Sequence, residues 1–402
     1  MARAGALSAL DQEYFDAYED MAIHALMLRD KPRCAAYAAA LRGADLEGKA
    51  VLDVGAGTGL LSVLAAKAGA RAVYAIEASG LAAAIQAAAD ANGVGDRVHV
   101  LHCRAEDAEV RAARGAAATF PCHHHPRVRL PEPHRDGVTP HGSDTLTTRR
   151  RAVQLPERVE VIVSEWMGFH LYHESMLDSV LAARDRWLAE GGLMLPSRVR
   201  VMAAPVCADA IIEERLAPFA DCEGVDLSCF IGPAAQQLLE ANPQVVVLDG
   251  AALLAQPRCL DEAELHTLPV AQAGRVAAEA VFVATKEAVC HGYAVWFECD
   301  FLKAAPPAGG DGDEFGTAEA DEVVVTMLST GPEAEPTHWK QTVVLLPEQL
   351  GASPGARLDC AFRLSPDPRV PRNCVLQCAV GGSIEELERE ALVENAAAAK
   401  AQ

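Results

Sequence analysis

Apolar residues fall into short runs, and the spacing of those runs changes along the chain. The first forty residues read as helices, with Asp30 placed to cap one and Pro32 in its first turn, where a missing N–H costs little. An alternation follows. Residues 50–54, 72–76, 97–101 and 159–163 are apolar runs of strand length. Between and after them, 60–68, 79–91 and about 175–190 read as helices, the second stopped by Asn92-Gly93 and the third by Gly191-Gly192. Strands alternating with helices predict a mostly parallel sheet covered on both faces.

After Pro196 the texture changes. Strand-like runs recur at 199–203, 244–247, 280–284, 294–299, 323–327, 342–345 and 374–379 with few helices between them, which predicts an antiparallel sheet or barrel. One exception, 208–216, carries Ile211, Ile212 and Leu216 and predicts a helical projection. The expected division is 1–49 as helices, 50–196 as the α/β unit and 197–402 as the β unit. Residues 111–152 break the pattern: the segment holds 8 Arg, no Lys, 3 acidic residues and 5 His, with no sustained apolar period. It reads as a disordered or functional insert, or as a translated intron. Cys122 to His125 with His134 and His141 suggest zinc, but adjacent ligands cannot all reach one tetrahedral ion, so no metal is expected.

Charge narrows the function. The 402 residues carry 56 acidic against 35 basic side chains, a net charge of −21. Non-specific nucleic-acid binding needs surplus Lys and Arg, so nucleic acid is not an expected partner and a basic one is. No apolar run spans a bilayer, and no membrane is expected. The first ten residues are too short for a signal peptide, and the twelve cysteines are irregularly spaced. Reduced, mostly buried thiols and residence in the nucleus or cytoplasm are the expectations.

Val51 to Gly59 is a strand feeding a glycine-rich turn and a helix. Glycines admit a ligand close to the backbone, and the helix start offers free N–H groups. The spacing is GxGxG, not the dinucleotide GxGxxG, since Leu60 stands at the last position. Glu77 ends the second strand, twenty residues beyond Gly57, where an acid can accept both ribose hydroxyls of a nucleoside; capping the next helix is the other reading. Together these resemble the S-adenosylmethionine site of class I methyltransferases. Glu165 and Glu174 follow the fourth strand, nine residues apart around Gly168. Two carboxylates in one pocket repel, so one protonates or a cation sits between them. A guanidinium suits that place, being planar and permanently charged. A helix-capping Glu174 is the alternative.

With these motifs the chain resembles a type I protein arginine methyltransferase. SEWMG…ESM matches the family's double-glutamate loop, Val51 to Gly59 its glycine loop, Thr337-His338-Trp339 its THW loop, and Tyr14-Phe15-Asp16-Ala17-Tyr18 its amino-terminal helix. His291 to Phe297 and Gly224 to Cys229 look most like one branch of that family. The resemblance covers nearly the whole chain except 111–152. It implies a Rossmann-like domain followed by an antiparallel β-barrel, with a helical dimerisation arm at about 208–230 and a homodimer.

The same resemblance implies site roles. S-adenosylmethionine is the implied cofactor. Arg33 should pair with its carboxylate, Gly55 and Gly57 should admit its methionyl part, and Asp53 should organise that turn. Glu77 should hold the ribose and Glu106, with Ala105, the adenine, while Phe15 stacks nearby; His24, Met27, Ala78, Glu165 and Met176 complete the set. Glu165 and Glu174 should grip the substrate guanidinium. Tyr14, Tyr18, Met167 and Trp339 should wall its channel, core packing being the other reading for the aromatic rings. His338 should pair with Asp30, either relaying the departing proton or tying the domains together. Met27 and Met176 imply asymmetric dimethylarginine, with histone tails and Gly/Arg-rich proteins as substrates. Phe169 departs from a usual tyrosine, and Ala25 and Leu26 replace acids common after His24. A scaffold that keeps the fold but is impaired by the insert is the rival function.

Overall fold

A computed structural model describes residues 18–110, 153–241, 243–303, 323–368, 370 and 372–401. The expected Tyr14 and Phe15 and the insert 111–152 lie outside the described residues. The chain opens with α1 (Met21–Arg29) and α2 (Lys31–Gly43). Asp30 accepts from the Arg33 backbone N–H with Pro32 in the first turn, as its sequence indicates. Then come β1 (Ala50–Val54), α3 (Leu60–Lys67), β2 (Ala72–Glu77), α4 (Ala82–Ala91), β3 (Val98–His102), a short parallel pair β4 (Ala108–Val110) and β5 (Val153–Leu155), and β6 (Val159–Val163). The unit closes with α5 (Leu177–Trp187) and β7 (Leu188–Leu195).

The main sheet is parallel throughout, in the order β3-β2-β1-β6-β7. Every residue of β1 and β2 is buried, as expected of strands covered on both faces. Strand order reverses between β1 and β6, which opens a crevice above their carboxyl ends. One expectation fails here: the third helix does not run to Glu190. It ends at Trp187, and Gly191-Gly192 lie inside β7. Leu193, Met194 and Leu195 are buried beside β6, and the register slips between Val159 and Val161. Gly191, at φ +70°, accommodates that irregularity instead of capping a helix.

Beyond Pro196 the chain is antiparallel. Its strands are β8 (Arg198–Val206), β9 (Gln244–Val246), β10 (Arg258–Glu264), β11 (Val276–Val283), β12 (Ala288–Leu302), β13 (Val324–Ser329), β14 (Gln341–Ala352), β15 (Arg357–Pro366) and β16 (Cys374–Val380). One sheet orders β10-β8-β12-β14-β9 with β13 on β12, and a second orders β11-β15-β16. Phe282, Tyr293 and Phe362 meet between them, ring centroids 5.4–6.3 Å apart. Two helices, α6 (Asp209–Ala220) and α7 (Ile231–Glu240), project after β8, and α8 (Ile384–Ala401) ends the chain. Helix α7 has no buried residue. The described cysteines are free thiols, but only Cys290, Cys299, Cys360 and Cys374 are buried, so "mostly buried" does not hold. The others sit on the arm, on strand edges and around the crevice.

Candidate active site

A cavity of about 300 Å³ lies over the carboxyl ends of β1, β2 and β6. Its floor is the glycine loop. Gly55, Gly57 and Gly59 take φ of +72°, +55° and +80°, which L side chains adopt only at a cost. A Cβ on Gly55 would stand 2.2 Å from Met176 Cε. The sequence places glycine where the backbone must come close to what sits above it.

Glu77 braces this loop. One carboxylate oxygen accepts from the Gly57 N–H and the other from the Ser79 N–H, both at 2.7 Å. Helix α4 starts only at Ala82, so Glu77 does not cap it. Each oxygen keeps a further lone pair for a ligand hydroxyl. Asp53 is fully buried below, accepting from the Ser62 hydroxyl at 2.6 Å. Burial raises its carboxyl to about 7, against that hydrogen bond. It joins β1 to α3 and does not line the cavity. His24 stands over Gly57, its Nε2 2.6 Å from the Tyr18 carbonyl. Met27, Ala78, Ala105 and Glu106 line the rim, and Ser179 donates to the Glu106 carboxylate.

The two glutamates share this cavity. Arg33 donates to one Glu165 oxygen from Nε at 2.9 Å and Nη2 at 2.6 Å, and the Met167 N–H reaches the other at 3.2 Å. Both partners are nearly buried. Burial works against the Arg33 charge, and Glu165 outweighs it, holding the guanidinium above its ordinary value. Glu174 accepts from the Tyr18 hydroxyl. It does not cap α5, whose amino end carries no side-chain cap. The like-charge problem is therefore met by Arg33 on one carboxylate and Tyr18 on the other.

The antiparallel unit reaches into the same place. His338 Nδ1 is 2.6 Å from Asp30 Oδ2, and the His338 backbone N–H donates to that oxygen at 2.9 Å. Burial tends to raise the Asp30 carboxyl, but the bonds from His338 and Arg33 bring it below its ordinary value. Trp339 is buried against His338 and donates from its indole N–H to the Met167 carbonyl at 2.8 Å. It lines the cavity and also pins the double-glutamate loop to the β unit. Sequence reasoning missed Arg372, which lines the cavity from the β15–β16 connection and bonds Glu174. No local motif marks it.

Two histidines lie inside the loop between the glutamates. Burial, with the neighbouring His173, pushes His170 down to about 3, and burial lowers His173. His170 Nε2 and His173 Nδ1 are buried without a hydrogen-bond partner. The unfolded chain protonates both rings below about pH 6.5; the folded chain holds His170 neutral down to about 3 and resists protonation of His173. Stability is therefore complete above that pH and falls as the pH drops toward 3. Denaturant unfolding should lose about 1 kcal/mol from His170 between pH 7.5 and 5.5, and His173 adds to the loss in the same direction. His170→Gln should reduce that loss; an unchanged pH dependence would contradict it.

Cys207, Asp209 and His291 form a second cluster at the root of α6. His291 Nδ1 accepts from the Ala208 N–H at 3.1 Å, which leaves the ring hydrogen on Nε2, facing Asp209 at 3.4 Å. That tautomer offers no lone pair toward the other two groups, so the cluster reads as a bonded helix start.

A parallel sheet with this order, a glycine loop and an acid at the end of β2 define a class I methyltransferase fold. Comparison with known proteins narrows the class. Residues 197–378 match the model of the arginine methyltransferase oligomerization subdomain, and residues 36–114 match that of ribosomal protein L11 methyltransferase. The chain is 32% identical to protein arginine N-methyltransferase 6 of Xenopus tropicalis, covering 94% of each chain. It is 31% identical to the probable protein arginine N-methyltransferase 6.1 of Oryza sativa subsp. japonica, covering 94% of this chain and 87% of that one. A crystal structure of PRMT6-SAH matches with a TM-score of 0.64 at 26% identity, over 90% of this chain and 100% of that one. The Trypanosoma brucei PRMT1 enzyme-prozyme complex with AdoHcy matches with a TM-score of 0.67 at 27% identity, over 91% and 94%. The chain belongs to the protein arginine N-methyltransferases.

Proposed function

We propose that the chain is a type I enzyme that methylates arginine in basic proteins such as histone tails and Gly/Arg-rich segments, giving monomethylarginine and then asymmetric dimethylarginine. The observation that carries this reading is the placing of Glu165 and Glu174 in one cavity with the glycine loop and Glu77. The donor set fits an aminoacyl nucleoside. Arg33 offers a cation to its carboxylate, Glu77 accepts from its hydroxyls, and Glu106 and Ala105 stand at the base end. S-adenosylmethionine supplies a methyl group on an electrophilic sulfonium when bound.

The chain's own residues do the rest. Glu165 and Glu174 bind the acceptor guanidinium and draw its positive charge toward two of its nitrogens. The third keeps electron density for attack, an electrostatic effect built into the site before substrate arrives. Asp30 keeps His338 oriented at the edge of the cavity, where it can take up the departing proton. Met27 and Met176 shape the space around the acceptor nitrogen.

A homodimer belongs to the same reading. On the arm, Val225 and Phe230 are exposed, and on α1 so are Met21, Leu26 and Leu28. The exposed apolar side chains of the arm, with the match of residues 197–378 to an oligomerization subdomain, support an arm that docks on a second copy in a head-to-tail ring.

The test is product analysis. Incubation with methyl-labelled S-adenosylmethionine and a Gly/Arg-rich or histone-tail peptide should give asymmetric dimethylarginine by mass spectrometry, with monomethylarginine appearing first. Symmetric dimethylarginine, or a product that stops at one methyl group, would overturn the type I assignment.

A further inference from the structure

We infer that Arg372 is a positioning residue for Glu174: the β15–β16 connection holds the second glutamate in its working place through a reciprocal clasp. This rests on the assignment of Glu174 to the acceptor guanidinium.

The need for a clasp comes from the loop itself. Gly168 and Leu171 exchange two backbone bonds, at 3.0 and 3.1 Å. The His173 N–H donates to Phe169 and the Ser175 N–H to Tyr172. These bonds fix the loop on either side of Glu174. Glu174 and Ser175 stand at φ +79° and +53°, two consecutive left-handed residues that side chains disfavour. Something outside the loop must hold that conformation.

Arg372 does so from 198 residues away. The Glu174 N–H donates to the Arg372 carbonyl at 2.6 Å, and Arg372 Nη1 donates to the Glu174 carbonyl at 3.4 Å. The connection carrying Arg372 is itself closed: the Asp367 N–H donates to Asn373 and the Asn373 N–H to Val370, each at 2.8 Å. The anchor is therefore set by a hairpin of the β unit. Arg372 lines the same cavity as both glutamates. A small displacement of Glu174 is costly, because transfer depends on alignment of the acceptor.

The experiment compares Arg372→Met, Arg372→Lys and Glu174→Gln in the full chain. Three quantities are read: kcat, KM for an arginine peptide, and calorimetric Kd for S-adenosylhomocysteine. Arg372→Met should lower kcat/KM for the peptide about tenfold, mostly in kcat, with the nucleoside Kd within about twofold of wild type. Arg372→Lys should recover part of the loss, since it keeps a cation but not the fork. Wild-type transfer by Arg372→Met overturns the proposal. So does an equal loss of nucleoside affinity, which would mean that the whole cavity had loosened. If Arg372→Met fails to fold, Arg372→Lys decides: reduced kcat at unchanged nucleoside affinity supports the clasp, and wild-type kcat overturns it. If Glu174→Gln keeps transfer, the reading of Glu174 falls and this inference with it. If Glu174→Gln abolishes transfer while Arg372→Met keeps it, the clasp alone falls.

Discussion

Glu165→Gln and Glu174→Gln are each expected to lower kcat about a thousandfold while leaving the fold intact. Glutamine keeps the shape of the side chain and one acceptor oxygen. At position 165 that oxygen can still meet Arg33, and at 174 it can still meet Tyr18. What disappears is the negative charge that, on the proposed mechanism, draws the guanidinium's positive charge away from the attacking nitrogen. Glu174→Gln should bind S-adenosylhomocysteine like wild type and melt at nearly the same temperature, whereas Glu165→Gln leaves the nearly buried Arg33 charge without its counter-charge and should melt lower while still folding. Activity within tenfold of wild type in either would remove that glutamate from its assigned role.

Arg33→Ala is expected to fail differently. Arg33 and Glu165 have side chains only 10% and 9% exposed. Removing one partner leaves an uncompensated buried carboxylate, which costs about 3–5 kcal/mol. The Arg33 backbone N–H still caps α2 on Asp30, so the helix start survives. The variant should unfold at clearly lower denaturant concentration, bind S-adenosylhomocysteine weakly and transfer no methyl group. Arg33→Lys should fall between, because an ammonium replaces a planar fork that meets one carboxylate oxygen from two nitrogens. Wild-type stability for Arg33→Ala would show that the pair is open to water in solution.

What the sequence disclosed is mostly local. The strand 159–163 lies where the apolar run puts it, and the Asp30 cap with Pro32 is set by three adjacent residues. The glycine loop and the double-glutamate loop carry their chemistry in short windows. The resemblance paired His338 with Asp30, 308 residues apart, and the structure brings them to 2.6 Å. Other features depend on contacts that no window contains. In β10 the charged Arg258, Asp261, Glu262 and Glu264 hide the strand, which is half-buried beside β8. In β7 the glycines look like a helix stop until the register with β6 is known. The partners of the two carboxylates were equally out of reach. Arg33 was assigned to a ligand, yet the structure also gives it to Glu165. The tie between Glu174 and Arg372 needs the hairpin after β15 to be folded against the loop after β6.

The central claim is that one cavity holds a methyl-donor nucleoside and, through Glu165 and Glu174, an arginine side chain. The most direct measurement follows labelled methyl transfer from S-adenosylmethionine to two peptides that differ only in carrying arginine or lysine at each basic position. Transfer to the arginine peptide alone, on guanidinium nitrogen, is the expected result. Tight binding of S-adenosylhomocysteine with no transfer to any arginine peptide, or equal transfer to both peptides, would contradict the claim.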